Sequence, residues 1–243
     1  MIMKIRTLIR KFIFKYFERF TGPYFFSEIL RDEGFKIGKG TIFYAPKTMN
    51  IDRERPWMLT IGDYCKITSG VTILTHDYSR SVLRRKYGEF VGEAGVTEIG
   101  DNVFIGMNSI ILMGAHIGSN SIIGAGSVVK GTYPDDVVIA GNPAKVVCSL
   151  DEYYRKRKSK MLEEAMVYVT SYKSRYGRYP NSDSCGPFFS LYEDRESFNY
   201  ELDSRLWVNG DNHEDIVRDF KRTTPLFKDY THFLRYIESN FTK

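Results

Sequence analysis

Few side chains in this sequence of 243 residues can move a proton near neutral pH or hold a soft metal. A neutral imidazole has a reference pKa of about 6.5, so a histidine can take a proton from a hydroxyl group near pH 7. The cysteines are widely spaced and lack the CxxC pattern of a zinc site, and we expect a reducing, cytoplasmic setting. The candidates are His76, His116, His213 and His232, together with Cys65, Cys148 and Cys185.

A six-residue period in the middle of the chain provides the frame for some of these residues. Aliphatic side chains recur every six positions at Ile99, Ile105, Ile111, Ile117, Ile123 and Val129. The fifth position of these hexads is small or β-branched, at Val103, Ser109, Ala115, Ser121 and Ser127. Earlier hexads begin at Ile61, Ile67 and Ile73, and Ile37 lies four hexads before Ile61, with Phe43 and Met49 in phase.

This period matches neither the turn of an α-helix nor the alternation of a strand. It fits a chain that turns a corner once in every hexad, so that three hexads, each with one short strand, complete a triangular coil. The first hexad position then points inward and stacks on the coil above, while the fifth position fills the corner. Cys65 occupies a fifth position, so we expect a core residue there rather than a nucleophile. We predict an all-β core, a parallel β-helix over residues 35–148.

The stretch before Ile61 is looser, with Arg55 out of phase, and the register is lost after Ile73, because the step from Ile73 to Ile99 is longer than four hexads by two positions. We predict a protruding loop over residues 76–96, with His76 at its root. By position alone, His76 fits a general base and a surface histidine at a turn equally well. His116 is the sixth residue of its hexad and is expected to point outward.

The resemblance to a known family rests on the run IGDNVFIGMNSIILMGAHIGSNSIIGAGSVVKGTYPDDVVIAGNPAKVV, whose closing segment AGNPAKVV occupies residues 140–147. This run resembles the hexapeptide-repeat acyltransferases, in particular the galactoside, maltose and capsular-polysaccharide O-acetyltransferases. The resemblance covers about residues 35–150. It implies a left-handed β-helix and a homotrimer, with acetyl-CoA as the acyl donor bound between neighbouring β-helices.

The resemblance also implies that His76 is the general base, which deprotonates a sugar hydroxyl as that hydroxyl attacks the thioester. Asp77 or a backbone carbonyl would then hold the second imidazole nitrogen. Phe104 takes the place of a tryptophan at the wall of the active site, and Asn50 that of an asparagine that contacts the acceptor. A related β-helix enzyme, the gamma-type carbonic anhydrase, binds zinc through three histidines. Only His76 and His116 fall in the repeat here, so we predict no metal site.

The last coils supply the candidates for binding acetyl-CoA. Aligned with the family, Met107 and Ala125 fall where backbone groups meet the pantetheine arm. Lys130 and Lys145 fall near the nucleotide and its phosphates, where a cationic side chain suits the ligand. Lysines near the end of a coil are equally common as solvated surface residues.

The N-terminal segment, residues 1–34, precedes the repeat. Residues 2–20 place apolar side chains at helical spacing opposite a basic face, which predicts an amphipathic helix. Such a helix can cap the open end of the β-helix or pack against another subunit, or it can lie on an anionic membrane surface. The two roles are compatible if the acceptor is lipid-linked.

The C-terminal segment, residues 149–243, is predicted to be a largely α-helical extension. A helix over residues 150–177 would be capped by Ser149 or Asp151 and ended by Gly177. A final helix is expected near residues 225–240.

Composition and charge exclude several classes of protein. Hydrophobic residues make up 42% of the chain and charged residues 27%, values typical of a folded globular protein. Apolar runs fall short of the ~20 residues of a membrane-spanning helix, and we expect a cytoplasmic protein, with peripheral contact at the inner face of the membrane as an alternative. The net charge of +5 belongs to the two ends, and the neutral middle argues against nucleic-acid binding.

These observations predict an acetyl-CoA-dependent O-acetyltransferase that acts on a sugar or a surface-polysaccharide precursor. On the same scaffold, the alternatives are N-acetylation of a nucleotide-linked amino sugar and acetylation of an antibiotic. The alternative from a different class is a non-catalytic β-helix that assembles complexes.

Overall fold

The computed structural model describes residues 8–13, 25–198, 200, 204–206 and 211–241. The chain divides into two compact units, Met1–Tyr153 and Tyr154–Lys243. The first unit is built mainly from short strands, and the described part of the second is built from helices.

The strands of the first unit form three sheets, which are the three sides of a coil. The first sheet contains β1 (Lys36–Ile37), β4 (Leu59–Ile61), β7 (Thr97–Ile99), β10 (His116–Ile117) and β13 (Thr132–Tyr133). The second contains β2 (Ile42–Phe43), β5 (Lys66–Ile67), β8 (Phe104–Ile105), β11 (Ile122–Ile123), β14 (Val137–Gly141) and β15 (Ala144–Ser149). The third contains β3 (Asn50–Ile51), β6 (Thr72–Ile73), β9 (Ile110–Ile111) and β12 (Val128–Val129). All neighbours pair in parallel except β14 and β15, which are antiparallel.

The strand register confirms the predicted parallel β-helix with three hexads in a coil. Ile105 pairs with Ile123 and Ile111 with Val129, and each partner lies three hexads further along the chain. The repeated aliphatic side chains are buried, and so are the small residues at the fifth positions, including Cys65. A stack of aliphatic side chains at the centre of the coil therefore forms the hydrophobic core of this unit.

The first coil departs from strict counting in hexads. Ile51, and not Met49, occupies the inward position below Ile73, and Met49 is only partly buried at the edge of the core. Two short 3₁₀ turns, Pro46–Thr48 and Pro56–Met58, lengthen the corners. The stretch from Ile37 to Ile61, which is four hexads long, thus forms one coil rather than one and a third.

A helix covers the first coil. Helix α1 (Phe25–Asp32) buries Phe26 and Leu30 against the core of the β-helix, where Phe26 meets Phe43 edge to face. Arg31 donates hydrogen bonds from its side chain to the backbone oxygens of Ile37 and Gly38. This helix thus covers an edge of the sheets whose backbone groups lack a neighbouring strand.

The predicted amphipathic helix over residues 2–20 lies largely outside the described residues. Its described part, residues 8–13, is helical, and its basic side chains face acidic groups at α1 and just beyond. Arg10 lies 2.8 Å from Asp32, and Lys11 lies 2.6 Å from Glu33.

The second unit has its own hydrophobic core. Helix α3 (Leu150–Tyr176) begins at a reciprocal cap, in which Ser149 and Glu152 exchange backbone and side-chain hydrogen bonds. Gly177 ends this helix in a left-handed conformation, with φ of 69°, as predicted. A long 3₁₀ segment and two further helices follow: Ser182–Leu191, α4 (His213–Lys221) and α5 (Tyr230–Phe241). Helix α5 matches the predicted final helix, whereas α4 was not predicted.

Among the described helices, none combines the length and the apolar character needed to cross a membrane.

Candidate active site

His76 lies where the β-helix stops repeating. It follows β6 at the corner between the third and first sheets, and the chain leaves the coil there and returns at β7. The excursion carries helix α2 (Arg80–Tyr87). Hydrogen bonds tie its two ends together, from the Gly95 N–H to the Thr75 oxygen and from the Ser79 hydroxyl to Glu93. His76 is thus held by a rigid coil on one side and borders a protruding loop on the other.

The imidazole of His76 is oriented by a carboxylate from the preceding coil. Nδ1 of His76 lies 2.5 Å from Oδ2 of Asp52, which follows β3. The Asp52 side chain is 4% exposed and that of His76 is 18% exposed. A carboxylate accepts hydrogen bonds only, so Nδ1 carries the proton and the lone pair of the neutral ring is on Nε2.

Asp52 is itself fixed by the surrounding chain. The Thr75 hydroxyl and N–H donate to its Oδ2, and the Glu54 N–H donates to its Oδ1. Burial acts to raise the pKa of Asp52, but the hydrogen bonds from Thr75, His76 and Glu54 outweigh it and hold the pKa below 3.8. The carboxylate is therefore charged at neutral pH and favours the tautomer of His76 that carries its proton on Nδ1.

The second imidazole nitrogen of His76 is held by Asp52 and not by Asp77, the residue predicted for that role. Asp77 accepts a hydrogen bond from the Ser79 N–H at 2.7 Å, and its carboxyl group is exposed at the loop. Its interactions with the Glu93 carboxyl and with Ser79 lower its pKa to about 2. Being next to His76 in sequence did not place Asp77 at the imidazole, because its side chain instead closes a local turn.

Sequence reasoning missed Asp52 because it counted hexads through an irregular coil. Ile51 pairs with Ile73, so Asp52 lies one coil below the residues that lead into His76. Counting forward from Phe43 and allowing two additional positions at the Pro46–Thr48 turn brings Ile51 inward, with Asp52 directly after it. A carboxylate directly after an inward aliphatic residue was the available signal.

The residues predicted to bind acetyl-CoA lie in several places. Met107 and Ala125 are exposed on successive coils at the corner between the second and third sheets, where the Gly126 N–H donates to the Met107 oxygen at 2.8 Å. Lys130 is exposed after β12, at the same corner of the triangle as His76, and Lys145 is exposed on β15. The pantetheine candidates and His76 therefore occupy different corners of one chain.

The two predicted acceptor residues are exposed on different sheets. Phe104, on β8, is 41% exposed and lies beside Lys66 and Ile122 on the outer face of the second sheet. Asn50, on β3, pairs with Thr72 in the third sheet, the sheet that leads to His76. Asn50 thus shares a sheet with the strand preceding the base, whereas Phe104 does not.

The other histidines have different surroundings. Nδ1 of His116 lies 3.0 Å from Glu98 on the outer face of the first sheet, as expected for a surface residue. In the second unit, His213 contacts the Tyr200 oxygen and His232 accepts from the Lys228 N–H. Within the residues that the structure describes, histidine, cysteine and acidic side chains do not converge as metal ligands.

Comparison with known proteins identifies relatives of the β-helix. The family described as bacterial transferase hexapeptide (six repeats) matches residues 97–131. Protein CapG of Staphylococcus aureus is 42% identical over 136 residues, which are 56% of this chain and 76% of CapG. Galactoside O-acetyltransferase of Escherichia coli (strain K12) is 36% identical over 127 residues, or 51% of this chain, and the match spans 61% of that enzyme. A solved hexapeptide-repeat acetyltransferase from Vibrio cholerae is 20% identical, with a TM-score of 0.44 over 62% of this chain and 93% of that chain.

Proposed function

The chain belongs to the bacterial hexapeptide-repeat transferases, and on this premise we propose that it transfers an acetyl group from acetyl-CoA to a hydroxyl of a sugar. The family makes the chain an acyltransferase, and the galactoside O-acetyltransferase among its relatives supports a sugar hydroxyl as the acceptor. We further propose that the β-helix is left-handed, as in that family.

The pairing of His76 with Asp52 carries this proposal. Nε2 takes the hydroxyl proton while the hydroxyl oxygen attacks the thioester carbonyl carbon. The bond between that carbon and sulfur then breaks, and the proton passes from Nε2 to the departing CoA thiolate. Asp52 stabilises the imidazolium that forms in between and keeps the ring in the reactive tautomer. General base catalysis of this kind contributes roughly 10²- to 10⁴-fold to the rate.

The candidate donor site fits the donor molecule in its chemistry. Met107 and Ala125 are exposed residues on successive coils at one corner, and we propose that this corner receives the pantetheine arm. Lys130 and Lys145 are exposed cations that suit phosphates. We propose that these four residues bind acetyl-CoA, with Phe104 and Asn50 toward the acceptor.

The separation of Met107 and Ala125 from His76 supports a homotrimer. Within one chain, the corner with Met107 and the corner with His76 are different vertices of the triangular coil. We propose that a neighbouring copy brings its Met107 corner to the His76 corner, so that each complete site is shared by two chains. A monomer in solution with full transferase activity would contradict this arrangement.

The proposed acceptor is a precursor of a surface polysaccharide in the cytoplasm. Peripheral contact of residues 2–20 with the membrane would bring the enzyme to a lipid-linked precursor. The basic residues Arg10 and Lys11 already bind acidic groups of this chain, which supports packing onto the β-helix unit for that part of the segment.

A thiol-release assay tests the function. The purified chain is mixed with acetyl-CoA and a panel of acceptors, namely methyl glycosides, nucleotide-sugars, amino sugars and lipid-linked glycans, and the acetylated product is identified by mass spectrometry. We expect acceptor-dependent release of CoA and O-acetylation of a sugar. Acetylation of an amine would support the N-acetyltransferase instead, and absence of both release and acetyl-CoA binding would support a non-catalytic module.

A further inference from the structure

A second carboxylate lies beside the reactive nitrogen of His76. Oε2 of Glu54 is 3.6 Å from Nε2, on the opposite side of the ring from Asp52. The two carboxylates differ in setting, because the Asp52 side chain is buried whereas that of Glu54 is 76% exposed. Asp52 thus belongs to the interior of the coil, and Glu54 borders the space that an acceptor must enter.

The groups on this side of the ring accept hydrogen bonds and do not donate them. With its proton on Nδ1, the neutral ring presents only a lone pair at Nε2, and the Glu54 carboxylate also only accepts. Two acceptors at 3.6 Å form no hydrogen bond with each other, so each needs a donor, which is water until an acceptor molecule displaces it. A reacting hydroxyl has one proton, and general base catalysis requires that it be donated to Nε2. When an acceptor displaces the water around Glu54, a second donor on the acceptor replaces the lost hydrogen bond.

We propose that Glu54 determines acceptor specificity by binding a second hydroxyl on the carbon next to the one that reacts. The acceptor class is then a vicinal diol, as on a sugar ring, and a lone alcohol leaves Glu54 without its partner. This inference rests on the proposed transferase function and adds to it the group that the enzyme recognises beside the reacting hydroxyl.

The neighbouring charges agree with an uncharged diol. Arg53 and Arg55 flank Glu54 in the chain, but Arg53 donates to Glu33 and Arg55 donates to the backbone oxygen of Glu93. Both arginines thus have other partners, and Glu54 presents an acidic side chain at the mouth of the site. A phosphate or carboxylate close to the reacting hydroxyl is disfavoured there.

The test varies both Glu54 and the hydroxyl that Glu54 is proposed to bind. Methyl glycosides of galactose, glucose and N-acetylglucosamine are first compared as acceptors of the wild-type chain, and the best is then compared with its monodeoxy analogues. We expect loss of the hydroxyl next to the reacting one to lower kcat/KM roughly 10- to 100-fold in the wild type. In Glu54→Ala the ratio of kcat/KM for the parent acceptor to that for its deoxy analogue should fall to nearly one. Glu54→Gln, which keeps an acceptor oxygen, should give an intermediate ratio.

A matched control exists on the same β-helix. Glu98 is also exposed and pairs with a histidine, His116, and Glu98→Ala should leave the preference for the diol unchanged. An unchanged preference in Glu54→Ala would overturn the proposal. So would an equal loss of kcat with parent and deoxy acceptors, because Glu54 would then act through His76 and not on the substrate. If the wild-type chain acetylates no acceptor, the transferase function itself fails and this inference fails with it.

Discussion

The β-helix of the first unit and the second unit (Tyr154–Lys243, the C-terminal unit below) bury their hydrophobic cores in different ways. The β-helix repeats one aliphatic position, and its backbone is satisfied by parallel pairing with the coils above and below. The C-terminal unit packs aromatic rings of unequal orientation, among them Phe189, Phe198, Phe220, Phe227 and Phe233. Because the core repeats, the regular coils of the β-helix resemble one another. The site where the repeat is interrupted differs from them, and His76 lies at that site.

Polar groups also differ between the two regions. In the C-terminal unit, tyrosine hydroxyls tie the chain together, since Tyr192 donates to the Ser182 oxygen and Tyr230 to the Pro180 oxygen. Burial raises the pKa of both tyrosines, which stay neutral. In the β-helix the buried Asp52 is charged and faces His76. Buried hydroxyls also tie the β-helix together, since Thr41 donates to the Gly62 oxygen and Ser127 to the Gly124 oxygen. What distinguishes the β-helix is a buried, charged carboxylate beside a histidine.

The largest expected effect places the chemistry in the β-helix. His76→Ala should lower kcat by about 10²- to 10⁴-fold, because it removes the base. His232→Ala, in the C-terminal unit, should leave kcat unchanged. Both are measured by CoA release at saturating acetyl-CoA. Equal losses of kcat in the two variants would mean that the C-terminal unit takes part in catalysis, contrary to the assignment of the chemistry to the β-helix.

Core truncations compare the two kinds of packing. Ile123→Ala and Phe233→Ala each remove a fully buried side chain, and we expect losses of about 2–5 and 3–5 kcal/mol in the free energy of unfolding. Hydrogen exchange resolved by segment should show faster exchange in the β-helix for the first variant and in the C-terminal unit for the second. Faster exchange throughout the chain in both variants would show that the units unfold together.

Removing the charge of Asp52 tests how its carboxylate orients the ring. Asp52→Asn should lower kcat by roughly 10- to 100-fold, because the amide no longer selects the tautomer with the proton on Nδ1.

The charged carboxylate of Asp52 should also stabilise the folded state above pH 3.8, since its folded pKa lies below that value. This contribution is lost as the pH falls below 3.8, so the difference in unfolding free energy between wild type and variant should narrow there. A difference that widens with acid would refute the lowered pKa.

The smallest effect concerns the spacing of the coils at the proposed donor corner. A Cβ at Gly106 would lie 2.5 Å from the backbone nitrogen of Ala125, so Gly106→Ala must push two coils apart. We expect a loss of about 1–3 kcal/mol in unfolding free energy and weaker acetyl-CoA binding, measured by denaturation and calorimetry. Gly92→Ala is the control, because a Cβ there has open space in the loop. If both variants bind acetyl-CoA as the wild type does, this corner is not the donor site.

The C-terminal unit shows where prediction from sequence stopped. The ends of α3 were predicted from Ser149 and Gly177, because caps are local and depend on adjacent residues. Helix α4 and the aromatic core were not predicted. Contacts such as Phe189 with Phe220 join residues far apart in sequence, and no period relates them.

The sequence by itself determined the coil, its core and the position of the loop. A repeat of hexads allows one way to bury every aliphatic first position, so Ile99 through Val129 specified the register without any other information. Only the tertiary structure decided the partners of His76. Asp52 and Glu54 both lie one coil earlier in the chain, across corners that are longer than the repeat. The physical reason is that hydrophobic burial sets the inward positions one by one, whereas the polar contacts of a site depend on how two successive coils align in space.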